Sequence, residues 1–178
     1  MNAADWIGGA VAWRERRLQR PILGAMVVGL GAGVICALVL TVSVLLMSGL
    51  LPDSVRGESA AAHLGNMSAV WIFLAAVIFA PLWETLLGQV LAIELARHFG
   101  LGATACVLIS ASAFSLGHVA SGAGLGHALG TFIGGLFFAS CYTWVRIAGW
   151  RSSYVATATA HATSNFLLIY LVGALLPE

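Results

Sequence analysis

The chain has 178 residues, of which 60% are hydrophobic and 8% charged, with a formal net charge of +1 and a mean hydropathy of +0.97. Soluble domains carry nearer a quarter charged residues, so this composition points to an integral membrane protein of one domain. All the basic residues are Arg, and a net charge this small provides no basic field for phosphates, which argues against a nucleic-acid partner.

Residues 1–20 place Trp6, Ile7, Val11, Trp13 and Leu18 so that they can line one side of a short interfacial helix, with Arg14, Arg16, Arg17 and Arg20 alongside. The run from Pro21 to Pro52 has no charged residue. It is far longer than a signal-peptide core and lacks an A-x-A site, so it reads as a first membrane helix that is kept. A spanning helix needs about 20 apolar residues, and five segments qualify: 22–50, 67–97, 103–121, 125–147 and 153–176. The expected fold class is therefore an all-α polytopic bundle of about five transmembrane helices with an N-terminal interfacial segment. It divides into the segment 1–20, the first helix and external loop 21–66, and a membrane core 67–178.

The breaks between spans have matching chemistry. Residues 51–66 are polar and turn-rich, "RHFGLG" at 97–102 ends a helix on basic residues and then Gly, and "ASGAGLG" at 120–126 is a Gly-rich turn. "AGWRSS" at 148–153 ends the fourth span and offers Ser152 or Ser153 as the cap of the fifth. Gly126, Gly130 and Gly134 recur every fourth residue of the fourth span, a spacing that lets a neighbouring backbone approach. Cys36, Cys106 and Cys141 lie in apolar runs with no CxxC pair, and read as packing residues.

Five alternating spans put Arg14, Arg16, Arg17, Arg20, Arg97, Arg146 and Arg151 on one side and Arg56 on the other. The positive-inside rule then makes the N-terminus cytoplasmic and the C-terminus external. Trp13, Trp144 and Trp150 fall near the inner interface and Trp71 near the outer.

Few strongly polar residues remain at depth: Glu84, Gln89, His118, His161 and Asn165, with Glu94 and His127 nearer the ends. Lipid offers such groups no partner, so they should face the bundle interior and meet one another. His161 and Asn165 are four apart, as are Phe114 and His118, so each pair shares a helix face. His118 stands high on its span and would need tilt, or a kink at Gly117, to reach the others. Glu94 is expected to pair with Arg97 or His98 and to be structural, and His63, His98 and His127 read as loop or interface residues.

Three motifs occur in order: "ETLLGQ" at 84–89, "FSLGH" at 114–118 and "HATSN" at 161–165, the first preceded by "AP" at Ala80–Pro81. Together they resemble the EExxxR, FxxxH and HxxxN/D motifs of the CPBP family of glutamic intramembrane endopeptidases. That family includes the CAAX prenyl-protein endopeptidases and the bacteriocin-processing and self-immunity proteins. The resemblance covers roughly residues 68–176. It implies that Glu84 is the base that activates water, that His118 helps bind that water, and that His161 and Asn165 stabilise the oxyanion. Amide hydrolysis needs such a base and such donors on any fold. Thr85 and Gln89 stand where the family has its second Glu and its Arg. An unpaired buried charge costs roughly 3–5 kcal/mol, so replacing both by neutral residues removes the pair cleanly, and the two are placed to bond to each other.

The expected function is an intramembrane endopeptidase with Glu84, His118, His161 and Asn165 catalytic, Thr85, Gln89 and Phe114 supporting, and no cofactor. Its substrate would be a membrane-anchored protein or peptide, a C-terminal sorting tail among the open choices, met in a bacterial inner or cell membrane. Two alternatives stand beside it. One is a non-proteolytic scaffold or immunity protein on the same fold. The other is a zinc protease that uses Glu84, His118 and His161 as a His₂Glu set, although no HExxH helix is present.

Overall fold

The computed structural model describes residue 11, residues 21–50, residue 52 and residues 67–172. The interfacial helix expected over 1–20 and the loop over 53–66 therefore lie outside the described residues, Val11 apart. Among the described residues there is no strand, and five helices are long and apolar enough to cross a membrane. They are α1 (Pro21–Leu50), α2 (Ala69–His98), α3 (Ala103–Ala120), α4 (Leu125–Ala148) and α5 (Trp150–Val172). The all-α membrane bundle expected from the sequence is the observed architecture.

The turns follow the glycines. Gly100 and Gly122 adopt φ of +75° and +94° in the α2–α3 and α3–α4 connections, a left-handed conformation that glycine adopts at little cost. At the α4–α5 junction the structure corrects the sequence reading. Helix α4 tightens into a 3₁₀ turn at Arg146–Ala148, Gly149 turns the chain at φ +94°, and α5 starts at once at Trp150. Ser152 and Ser153 are thus buried inside the first turn and not at its cap. Ser153 Oγ donates back to Gly149 O at 3.2 Å.

Helix α1 packs chiefly on α5, and its close approach uses glycines. A Cβ on Gly33 would lie 2.5 Å from Ala160 O and 2.6 Å from Thr163 Cβ, and one on Gly29 would collide with Ala156 O. Two helices can come this close only where one carries no side chain. In the Gly126, Gly130, Gly134 row expected to do this, two positions do not: a Cβ on Gly130 would meet nothing within 4 Å, and one on Gly134 would make ordinary contact with Leu40. The tight contact between α3 and α4 is instead at Gly135, against Ala111. Ala25, Val28, Cys36, Phe114, Phe138, Cys141, Ala156 and Ala160 form one buried cluster linking α1, α3, α4 and α5. All three cysteines are free and buried, as packing residues would be.

Gly33→Ala should therefore cost about 1–3 kcal/mol through overpacking, read as a lower thermal midpoint in detergent. Gly31→Ala, whose Cβ would meet nothing within 4 Å, should leave the midpoint unchanged or raise it slightly.

Candidate active site

Helix α2 is not a plain α-helix. A short α segment, Ala80–Glu84, is flanked by two π segments, Phe73–Phe79 and Thr85–Leu91. Pro81 supplies a cause, because its ring crowds the carbonyl one turn earlier and it has no N–H to donate. π turns inside helices recur where a side chain must be aimed. Glu84 sits at the junction of the α segment and the second π segment.

Three of the four residues expected to meet do so. Glu84 Oε2 lies 3.6 Å from His161 Nε2 and 3.8 Å from His118 Nε2. Exposure is graded across the cluster, with side chains 35% exposed at Glu84, 18% at His118 and 4% at His161. One end of the cluster is thus open and the other sealed. No kink at Gly117 is needed, since α3 runs unbroken from Ala103 to Ala120. At ~1.5 Å per residue, Glu84 stands ~21 Å along α2 from its His98 end, and His118 ~22 Å along α3 from Ala103. The two heights match because α3 begins only after Gly102 and is just 18 residues long.

Each histidine has its ring held. His118 Nδ1 lies 3.0 Å from Phe114 O. A carbonyl only accepts, so Nδ1 carries the proton, and in the neutral ring Nε2 turns a lone pair towards Glu84. The Phe114 ring packs against both His118 and His161, at centroid distances of 4.7 and 5.5 Å. His161 is also stacked on Phe138 at 4.4 Å. Its Nδ1 faces Thr85 Oγ1 at 3.5 Å.

Asn165 goes elsewhere. Its Nδ2 donates to Ala76 O, on the first π segment of α2, at 2.8 Å. The expected bond between Thr85 and Gln89 is also absent. The buried Gln89 amide has no hydrogen-bond partner among the described residues. Thr85 Oγ1 is instead turned across the bundle towards His161 Nδ1. Sequence reasoning missed Phe138, which carries no motif signal, and gave His127 no place near the site. Its ring lies 5.6 Å from that of His118. Among the described residues no group of three His, Cys, Asp or Glu side chains is arranged to hold a metal ion.

The second acid of α2 contrasts with the first. Glu94 accepts from Arg146 Nε at 2.6 Å, Arg146 Nη2 at 3.0 Å and Tyr142 OH at 2.8 Å. Arg97, one of the two expected partners, is only a more distant second cation at 3.9 Å. Glu94 is therefore a brace between α2 and α4, as its structural reading required, with a partner from another helix.

A model of the family described as Type II CAAX prenyl endopeptidase Rce1-like matches residues 66–167. That stretch holds all three motifs. No curated protein and no solved structure matches the chain at a significant level.

Arg146→Met should lower stability by about 1.5–3 kcal/mol, since it strips a charge-assisted pair from a half-buried carboxylate. Adding Glu94→Gln should recover part of the loss. Thermal melts of both variants in detergent check this.

Proposed function

The chain belongs to the Rce1-like type II CAAX prenyl endopeptidases of the CPBP family, and from that premise we propose that it hydrolyses a peptide bond of a membrane-anchored protein or peptide, with Glu84 as the base. The observation that carries this reading is the pair of gaps of 3.6 and 3.8 Å around one carboxylate oxygen. Glu84 Oε2 and the His118 Nε2 lone pair are both acceptors. Two acceptors facing each other across such a gap require a donor between them, and water has two O–H groups.

In this reading the water donates one O–H to Glu84 and the other to His118, which turns its oxygen lone pair towards the scissile carbonyl. Attack forms the new C–O bond as Glu84 takes the proton. Glu84 then returns that proton to the departing amine nitrogen as the C–N bond breaks. Thr85 Oγ1–H donates to His161 Nδ1, so Nε2 carries the hydrogen and donates to the oxyanion. Thr85 thereby sets a tautomer without adding a charge. The Phe114 and Phe138 rings keep water from the far side of His161. No cofactor enters these steps.

Beside the site, a groove of about 270 Å³ runs between α2 and α5, lined by Val77, Pro81, Leu82, Ala158 and Ala162. It is apolar and suits the hydrophobic flank of a substrate that stays in the bilayer. The residue 67–178 core carries the chemistry and α1 buttresses it. With the N-terminus cytoplasmic, as the Arg distribution supports, His118 and the α3–α4 turn face the outer side. A C-terminal sorting tail presented there fits this placement.

The test uses the purified full chain in detergent or vesicles with a fluorogenic, membrane-anchored peptide library. Glu84→Gln should lower kcat by about 10²–10⁴-fold, the usual worth of a positioned general base, with the fold retained by circular dichroism. Equal cleavage by wild type and variant would sink the Glu84 mechanism, and loss of wild-type activity with a chelator would favour zinc.

A further inference from the structure

We propose that Asn165 is a positioning residue: its amide supplies the hydrogen bond that Pro81 withholds from the Ala76 carbonyl, and so holds the wide turn that aims Glu84. The consequence for activity rests on the protease reading above; the hydrogen-bond assignment does not.

In an α-register the donor to Ala76 O would be the N–H of Ala80, four residues on. That N–H is spent on Ala75 O, in the π-register. Continued into the next residue, the π-register would make the N–H of residue 81 the donor. Residue 81 is proline and has none. Both main-chain donors are therefore excluded, by two different causes, and Ala76 O is left for a side chain. Asn165 Nδ2 fills the vacancy at 2.8 Å, across 89 residues of sequence. In a membrane core no water is at hand to do the same, and an orphaned carbonyl there is strongly disfavoured.

What depends on that bond is the direction of Glu84. Each residue of an α-helix turns the chain by about 100°, so the extra residue in a π turn swings every later side chain by about that much. Glu84 follows Ala76 by eight residues and its carboxylate must meet His118 and His161. With Ala76 O unsatisfied, the wide turn loses the contact that fixes it, and Pro81 prevents a return to α geometry. Asn165 also lies one turn along α5 from His161, four residues apart on one continuous α segment. The same helix thus presents a ring to Glu84 and a clamp to the turn that carries Glu84. The Asn165 amide spends one of its two N–H groups on the Ala76 carbonyl, which fixes where that amide sits against α2.

A double-mutant cycle separates the two roles. Asn165→Leu keeps the shape and removes the donor. Alone, it should lower kcat about tenfold with KM nearly unchanged and lower the thermal midpoint by roughly 3–6 °C. In a Pro81→Ala background a main-chain N–H returns to the turn, and the same substitution should cost less than about twofold in kcat and ~1–2 °C. Equal losses in the two backgrounds, in both kcat and melting midpoint, would overturn the proposal. An oxyanion donor would give a kcat loss that Pro81→Ala does not relieve, on the order of 10²–10³-fold, with little change in melting. If the wild type cleaves nothing, the protease reading falls, and the melting cycle still decides the hydrogen bond by itself. A coupled midpoint loss sustains it and an additive one removes it.

Discussion

The structure depends on finding hydrogen-bond donors for the carbonyls of α2 in a medium without water. A regular α-helix satisfies its own carbonyls, which is why helices span membranes. Helix α2 gives up part of that self-sufficiency by taking two π turns around Pro81. Its carbonyls are met from outside at four heights: Ala69 O by Tyr170 OH, Ala76 O by Asn165, Leu82 O by Tyr154 OH, and Gly88 O by Ser110 Oγ. Three of those four donors come from α5. The helix that carries Glu84 and the helix that carries His161 are therefore stitched along their length, and the geometry between the two residues inherits that rigidity. Helix α1 completes the arrangement through Gly29 and Gly33, which let it lie directly on the Ala156 and Ala160 carbonyls of α5.

The two acids of α2 differ in how completely their oxygens are bonded. Glu94 has its lone pairs filled by Arg146 and Tyr142 at 2.6–3.0 Å. It is a finished interaction with nothing left to offer. Glu84 has two imidazoles near one oxygen, each too far for a direct hydrogen bond. A carboxylate placed in an apolar bundle at considerable cost and then left incompletely bonded is poised to bind something small and polar. Glu84 and Glu94 are ten residues apart on one helix, and neither composition nor hydropathy distinguishes them. The partners that the bundle brings to each make the difference.

Much of the fold was legible because the bilayer enforces it. The five spans follow from length and hydropathy, and the meeting of Glu84, His118 and His161 follows from the rule that buried ionisable groups seek one another. What stayed hidden has a physical reason in each case. The π turns depend on which carbonyl Pro81 frees and on what lies across from it, and no local pattern encodes the partner. The expected Thr85–Gln89 bond failed because Thr85 meets His161, 76 residues away, which no local spacing reveals. The glycine row in α4 looked like a close-packing face, but a helix has several faces and only contact decides which glycine is used. The row at Gly29 and Gly33 had the same four-residue spacing and was open to the same inference. Arg146 could not be assigned to Glu94 from sequence, because 52 residues separate them and Arg97 is nearer along the chain.

The departure at Thr85 and Gln89 follows from the way the rings are held. An acid and a base at those positions would keep two more charges desolvated. In this chain His161 is held by shape: Phe138 stacks on one face at 4.4 Å, Phe114 meets it edge-on at 5.5 Å, and Thr85 faces Nδ1 at 3.5 Å. Aromatic packing of this kind contributes about 0.5–1.5 kcal/mol per pair beyond the area it buries, and it needs no counter-charge. Glu84 is then the one carboxylate of the cluster, and the neutral amide of Gln89 lies buried on the turn beyond Thr85 without adding to its field. The ring geometry of the cluster thus rests on packing and needs no ion pair at Thr85 and Gln89, and with both positions neutral no unpaired charge is left buried beside it.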